Sequence, residues 1–541
     1  MRSKLLQNWV LPPTWLRFLI IIILVLGLFF RFVNLDRKIY WMDETYTSLR
    51  ISGYTESELT QQLLEGQLLS LQDLHQYQRI NPEKSIVDTV KGLATEEPQL
   101  APLYFIGVRF WAQMFGDSVA AIRSFSAFLS VLAFPCIYWL CLELFESSLV
   151  GWLGCALLAI SPFQLVYAQE ARQYSLWTVA ILLSSASLLR AIRINTWRSW
   201  GIYAATVAVG IYSHLFFVLV AIVQAIYIFI INNYRWNKAL KGYFLSSIVG
   251  IIAFSPWIVV ILTNYKQALT MTATQDTKTP LLYFLKSWLG NLSRNFIDTG
   301  FSSGSPFAVP WYSLVFPSLS ILVITTLVIY SLYFLARHSP KRVWLFIFLL
   351  IGFTSLVIII PDLILGRRTS VTGRYMIPSY LGIQLSVSYL LGSKLNPTLS
   401  VNRLHQFWNL ILLALLTSGV ISCLIISQSQ SWWNNLTDTH NRQLAQIINQ
   451  TSNPLVIQEI DSVPPRYNVF NLISLSYLLN SEVKFKFIPK NTVTKIPPNF
   501  STIFFMAPSN ILQSGIKRDY QTKIEPIDGN PESRLWKLVK P

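Results

Sequence analysis

Residues 15–33 read WLRFLIIIILVLGLFFRFV and residues 34–50 read NLDRKIYWMDETYTSLR; the join between them decides the fold. Trp15–Val33 is apolar and long enough to cross a bilayer, which takes roughly 20 helical residues. Asn34–Arg50 therefore emerges at a membrane surface. Its centre sets two adjacent carboxylates, Asp43 and Glu44, among Tyr40, Trp41 and Tyr46. A carboxylate there is either a solvated loop charge, with Asp43 capping a helix that starts at Glu44, or a working base. Adjacent side chains diverge by about 100° on a helix, so both cannot easily address one atom. Asp43 is expected to be the base and Glu44 a structural or metal-binding partner.

The rest of the chain supports a membrane reading. It has 541 residues, 52% of them hydrophobic and only 13% charged, against about 25% charge in a soluble domain. The net charge of +17 does not point to nucleic acid, because the basic residues fall mainly in short loops between apolar runs, as the positive-inside rule places them. The first run lacks a small-residue cleavage site and is expected to stay as an anchor. Cys136, Cys141, Cys155 and Cys423 all lie inside apolar runs and form neither a disulfide framework nor a zinc pattern.

Arg2, Lys4 and Arg17 mark the start of the first run, so the N-terminus is expected inside. The loop from 34 to about 100 is then outside. It carries 11 of the 26 acidic residues against six basic ones. Leu59, Leu63, Leu64 and Leu68 have helical spacing and predict short helices on the membrane surface. Pro102–Gly116 is short, carries Arg109, and reads as a membrane-dipping helix. Further spans are predicted at Val119–Glu143, Val150–Tyr167, Tyr174–Ile192, Trp200–Ser213, Leu215–Ile231, Leu245–Thr263, Trp311–Leu335, Val343–Ile360, Tyr375–Leu391 and Trp408–Ser427, about 11 in all. Inner loops would carry Arg190, Arg193, Arg198, Arg235, Lys238, Lys241, Arg337, Lys341, Arg342, Lys394 and Arg403. One inner loop, Leu144–Leu149, has Glu146 and no base. The tail from 428 to 541 alternates strand and helix patterns, which predicts a small extracytoplasmic α/β domain after a membrane domain at 1–427.

Four clusters share the predicted outer face. Asp43-Glu44 is the first. Gln169–Tyr174, with Glu170 and Arg172, sits between two spans. Arg123 lies four residues into the second span, where a charge costs about 2.5–3.5 kcal/mol at the bilayer centre and less near the interface; it needs an anion, either a protein carboxylate or a lipid phosphate. Arg367, Arg368 and Arg374 crowd an outer loop against the charge trend, and guanidinium forks suit phosphate. His214 sits at a turn between apolar stretches and is either structural or part of a site.

These motifs resemble a known family. Trp41-x-Asp43-Glu44, Pro102-Leu103-Tyr104, Ala121-Ile-Arg123-Ser-Phe-Ser-Ala127, Ser161-Pro162, Gln169-Glu170-Ala171-Arg172-x-Tyr174 and Gly373-Arg374-Tyr375-Met-Ile-Pro378 occur in the order seen in GT-C membrane glycosyltransferases. The closest group is the protein O-mannosyltransferase and lipid A aminoarabinose transferase superfamily, with its bacterial family 39 relatives. The resemblance spans roughly residues 15–395. It implies an α-helical polytopic GT-C fold. It also implies an inverting enzyme that takes a sugar from a polyprenyl-phosphate carrier outside the cytoplasm, with Asp43 as the catalytic acidic residue. Relatives often read His-Pro-Pro-Leu-Tyr where this chain has Leu100-Ala101-Pro102-Leu103-Tyr104, so a polar group at the edge of the site is missing.

The chemistry fits these residues. A departing lipid phosphate gains negative charge that preorganised arginines stabilise; Arg123, Arg172, Arg374 and Arg367 are the candidates. An acceptor hydroxyl needs a base as it attacks, and Asp43 can serve. Tyr104, Glu170, Tyr174 and His214 are the candidate substrate contacts. The residues require no cofactor and leave a divalent metal open. The expected place is the plasma (inner) membrane, with lipid, glycan or protein as acceptor. The competing readings are a transporter or flippase of lipid-linked sugars, and a membrane scaffold with a degenerate site. A transporter should show two similar halves with polar groups at mid-membrane; here the polar groups gather on one side and no halves repeat.

Overall fold

The computed structural model describes residues 12–272, 279–300, 311–395, 403–434, 440–461, 464, 466–493, 495–527, 529–530 and 533–539. Arg2 and Lys4 lie outside the described residues. The chain is mostly helical. α1 (Thr14–Phe32) enters, and the first loop follows with α2 (Met42–Ser52), α3 (Glu56–Leu63), α4 (Leu71–His75) and α5 (Ile86–Glu96). Next come α6 (Leu103–Phe115), α7 (Val119–Phe145), α8 (Ser148–Ala159), α9 (Pro162–Ala168) and α10 (Tyr174–Ile194). The bundle continues with α11 (Trp197–Ser213), α12 (Phe217–Ile231), α13 (Lys238–Thr263), α14 (Tyr265–Thr272), α15 (Leu281–Ser293), α16 (Val315–His338), α17 (Lys341–Leu365), α18 (Ile377–Lys394) and α19 (Arg403–Gln428).

All 11 predicted spans are helical over most of their length, but the number long and apolar enough to cross a membrane is smaller. Seven helices qualify among the described residues, and an eighth if the bent pair α8–α9 is one span. The predicted continuous span at Val150–Tyr167 is broken there by 61°. Pro162 supplies no N–H, and Ser161 caps α9 through Gln164 N. The carbonyls freed at the break are not left bare. Arg31 of α1 donates to Ala159 O at 2.6 Å and to Leu158 O at 3.1 Å. Trp200–Ile231 is two helices parted at His214, of 17 and 15 residues, shorter than the roughly 20 a full crossing takes. The acidic exception at Glu146 resolves locally. Arg342 pairs with Glu146 at 2.5 Å and Arg193 with the adjacent Glu143 at 2.8 Å, so that loop draws its cations from two neighbouring ones.

The tail folds as α20 (Asn441–Asn449), β1 (Pro454–Ile460), α21 (Tyr467–Ser476), β2 (Lys484–Pro489), β3 (Thr502–Met506), α22 (Asn510–Tyr520), β4 (Ile524–Pro526) and β5 (Leu535–Leu538). The sheet order is β2-β1-β3-β5-β4, with β1 parallel to both neighbours and β5 antiparallel to β3 and β4. This is the alternation of strand and helix that the pattern of the tail predicts.

Of the four leucines in the first loop with helical spacing, Leu64 and Leu68 are exposed and the other two turn into the protein. Leu59 and Leu63 are buried, with Leu49, Leu69 and Leu74, in one core with Val456, Phe470, Leu472 and Phe485 of the tail. Leu69 and Phe485 exchange two backbone hydrogen bonds, 2.9 and 2.8 Å, so the loop extends the edge of the sheet. Tyr46 of α2 stacks on Phe470 of α21 at 3.6 Å. Burying such rings contributes on the order of 2–3 kcal/mol each, enough to hold the tail against the helix that carries Asp43.

Candidate functional site

Asp43 and Glu44 stand in the first turn of α2, and the structure separates them. Glu44 points inward. Arg123 of α7 grips it with both edges of its fork, Nε to Oε1 at 2.8 Å and Nη2 to Oε2 at 2.6 Å. Ala171 N donates to Oε1 at 2.8 Å and Trp41 N to Oε2 at 3.3 Å. Arg123 then donates to Leu35 O at 2.7 Å, Lys38 O at 3.0 Å and Ile39 O at 2.8 Å. These five bonds match its five N–H groups. In this conformation Arg123 has no donor left for a phosphate, so the protein-carboxylate alternative is the one found. The pair is a clamp that binds the start of the first loop to α7 and to the 169–173 turn.

Asp43 points the other way. Its side chain is 17% exposed, while that of Glu44 is fully buried. It does not cap the helix, whose N-cap is Trp41. One carboxylate oxygen accepts from Arg374 Nη1 at 2.9 Å, and the backbone oxygen accepts from Arg172 Nη1 at 3.2 Å. Arg172 also reaches Thr47 Oγ1 at 3.4 Å. The Arg374 guanidinium lies 5.5–5.6 Å from the rings of Trp41, Tyr174 and Tyr375, which fixes its plane.

The turn carrying Arg374 is held from behind. Ser370 N donates to buried Asp362 at 2.5 Å, Trp288 donates to Ser370 Oγ at 3.1 Å, and Asn291 donates to Val371 O at 2.9 Å. Gly373 is needed for close approach: a Cβ there would meet Phe163 at 2.8 Å. Arg367 is not brought to this place and stays exposed after α17; Arg368 turns to Thr279 and Tyr283.

Glu170 is buried in the 169–173 turn, with Oε2 accepting from Asn434 at 3.1 Å. Burial pushes its carboxyl up to about 8; Arg374 opposes that, and Glu44 and Asp43 add to it. Lys38 donates to Gln169 at 2.5 Å, and burial with neighbouring Arg123 lowers its ammonium to about 7 against the pull of Glu44. His214 stacks on Trp177 at 4.3 Å and accepts from Phe216 N at 3.1 Å through Nδ1. Burial, then Arg172 and Arg374, hold it neutral, down to about 3. Tyr104 pairs with Ser126 at 2.7 Å, and Ser126 donates to Arg172 O at 3.3 Å, so Tyr104 supports Arg172 from behind. Tyr174 lies under Arg374 as part of the aromatic frame.

Several buried polar atoms here have no partner among the described residues: Trp41 Nε1, Glu170 Oε1, Arg172 Nε, Gln173 Oε1, Trp177 Nε1 and Arg374 Nε. Such atoms cost about 1–3 kcal/mol each when left unmade. A cluster of them, mostly donors around an accessible carboxylate, suits an anionic group with several oxygens. Among the described residues no three His, Cys, Asp or Glu side chains converge to hold a metal. Trp41, Gln173 and Tyr375 were visible within motifs, whereas nothing in the sequence marks Asn434 or Trp177 as neighbours of the site.

Residues 98–260 match the family model described as dolichyl-phosphate-mannose-protein mannosyltransferase. No curated protein matches the chain. Among solved structures, ArnT from Cupriavidus metallidurans bound to undecaprenyl phosphate matches with a TM-score of 0.53 at 11% identity, over 97% of this chain and 97% of that one. The apo state of the same protein gives 0.47 at 12% identity, over 81% and 87%. The oligosaccharyltransferase AglB from Archaeoglobus fulgidus, in complex with an inhibitory peptide and a dolichol-phosphate, gives 0.45 at 12%, over 86% and 64%. The ArnT match shows the fold, and the family match covers Tyr104, Arg123, Glu170, Arg172, Tyr174 and His214. The chain is a multi-pass membrane protein that shares its fold with that ArnT.

Proposed function

We propose that this protein is an inverting glycosyltransferase that moves a sugar from a polyprenyl-phosphate carrier to an acceptor hydroxyl at the outer face of the plasma membrane. The observation that carries this reading is the pair of buried, unpartnered arginine Nε atoms, on Arg172 and Arg374, beside the partly open carboxylate of Asp43. The fold likeness to an ArnT bound to undecaprenyl phosphate supports a lipid phosphate as the anion.

The reaction then runs as one displacement. The acceptor oxygen bonds to the anomeric carbon as its proton passes to Asp43. The bond from that carbon to the phosphate oxygen breaks on the opposite face, and its electron pair leaves with the phosphate. A single displacement inverts the centre. Arg374 holds Asp43 with Nη1 and presents Nε on another edge, so one guanidinium can set the base relative to the leaving group. Arg172 does the same from the backbone of Asp43. Water-poor surroundings make both cations worth more to the developing charge than they would be in solution. Arg123 and Glu44 position α2 rather than touch substrate. The charge pattern of the loops supports an outer location for the site and for a domain at 428–541, with the membrane domain at 1–427. The acceptor is a lipid, glycan or protein hydroxyl.

The test is to supply radiolabelled polyprenyl-phosphate sugars to the purified protein with membranes, identify the labelled product and determine its anomeric configuration. A product inverted relative to the donor is expected. No product from any donor, together with no binding of lipid phosphate, would sink the reading.

A further inference from the structure

Among the described residues, Glu170 is the one buried carboxyl at the site that no cation pairs with. Glu44 has Arg123 and Asp43 has Arg374. Glu170 is 2% exposed; among the described residues its Oε2 takes a bond only from the neutral amide of Asn434, and Oε1 has no partner. Among the described residues no cation lies within ion-pair distance of it, although Arg172 is two residues away and Arg374 is close enough to act on it. Its place is fixed: Arg172 N bonds Glu170 O at 2.7 Å, and Ala171 N bonds Glu44.

An ionised carboxylate in that position would be buried, unpaired and close to two others. It would also repel a phosphate. A protonated carboxyl has neither fault, and its O–H becomes a donor. Charged and titratable groups reach it from every side. Arg374 comes from the 373–376 turn, Asp43 and Glu44 from α2, and Arg123 from α7. Tyr104 of α6 and Tyr167 of α9 also face it. The arginines favour its charged form and the two carboxylates the neutral one, while burial tips the balance toward neutral.

We propose that Glu170 works as a neutral carboxylic acid whose O–H donates a hydrogen bond to the departing lipid phosphate, between the Nε groups of Arg172 and Arg374. This rests on the glycosyl-transfer reading above and adds the protonation state and the role. No proton is handed over. A phosphate monoester ionises a second time near about 6, below the Glu170 carboxyl at about 8, so the proton stays on Glu170 while the bond strengthens as charge builds. The third donor completes a three-sided cradle for an anion with three free oxygens.

The test measures binding of undecaprenyl phosphate to the full-length protein in nanodiscs between pH 6.5 and 9.5. Wild type should lose about 10- to 100-fold in affinity as pH rises through the Glu170 titration, the worth of one hydrogen bond to a charged group. Glu170→Gln keeps a neutral donor and the size. It should bind within a few-fold of wild type at pH 7 and show no such loss. Glu170→Ala should bind about 10- to 100-fold more weakly at pH 7. Lys38 titrates near pH 7 too, so the Glu170 effect is the loss in wild type beyond any that Glu170→Gln keeps. A Gln variant as weak as the Ala variant, or a wild-type affinity flat with pH, overturns the proposal while leaving the site a lipid-phosphate site. Wild type that binds no lipid phosphate at any pH overturns both readings together.

Discussion

Asp43 and Glu44 are neighbours in the chain and opposites in the fold. Around Glu44 every strong bond is made: a two-pronged ion pair, two backbone N–H groups, and a guanidinium whose remaining donors meet carbonyls of 35, 38 and 39. Around Asp43 the opposite holds. The carboxylate is partly open, and the arginines beside it keep buried N–H groups with no partner among the described residues. A finished region builds stability, because breaking it strands a charge. An unfinished region costs stability and gains meaning only with a ligand. The same residue types, one position apart on α2, thus divide into scaffold and proposed site.

The sharpest way to break this contrast is Asp43→Asn. It keeps the size and removes the proposed base, so transfer should fall by about 10²–10⁴-fold while lipid-phosphate binding is largely kept. Glu44→Gln should instead show itself in the melting temperature. A folded Glu44→Gln that binds donor but transfers nothing, beside an active Asp43→Asn, would reverse the two assignments.

Arg123→Ala should rank next. It leaves Glu44 buried and unpaired, a defect worth about 3–5 kcal/mol, read as a lower melting temperature in detergent. Arg123→Lys restores charge but cannot fork, and should recover only part of the loss. The contrast fails if Arg123→Lys melts like wild type and yet binds lipid phosphate poorly, because the guanidinium would then be reaching the ligand. Arg374→Lys probes the open side. Loss of the fork should weaken lipid-phosphate binding by about 10- to 100-fold, with little change in melting. A melting defect with normal binding would make Arg374 another structural clamp.

Much of this was legible before any coordinates. Adjacent carboxylates must diverge, and they do. An intramembrane arginine must find an anion, and Arg123 does. What one-dimensional reading could not supply was the partner, since Glu44 and Arg123 are 79 positions apart and a phosphate would have served as well by charge alone. The leucine spacing of Leu59 and Leu63 signalled a buried face correctly, but a helix face does not say what buries it. Membrane and tail sheet are both apolar, and the sheet lies some 400 residues later. Asn434 carries no signal at all: an asparagine after a span is ordinary until it is found on Glu170.

The smallest expected effect tests whether the tail belongs with the finished region or the unfinished one. Tyr46 stacks on Phe470 at 3.6 Å, one turn along α2 from Asp43. Tyr40, at the other side of that helix start, meets Tyr477 edge-on at 5.1 Å. Neither contact touches the carboxylate, so the tail's part is to hold α2 rather than to join the chemistry. A double-mutant cycle on Tyr46→Leu and Phe470→Leu isolates the ring pair from simple loss of area. It should give a coupling of about 0.5–1.5 kcal/mol in stability, with transfer by the folded protein changed by less than about tenfold. Leu is chosen over Ala because it keeps most of the apolar volume and limits cavity effects. If the coupling appears instead in transfer rate, with melting unchanged, the tail sets the angle of α2 during turnover. The line between scaffold and site would then run through the Tyr46–Phe470 contact and not between Asp43 and Glu44.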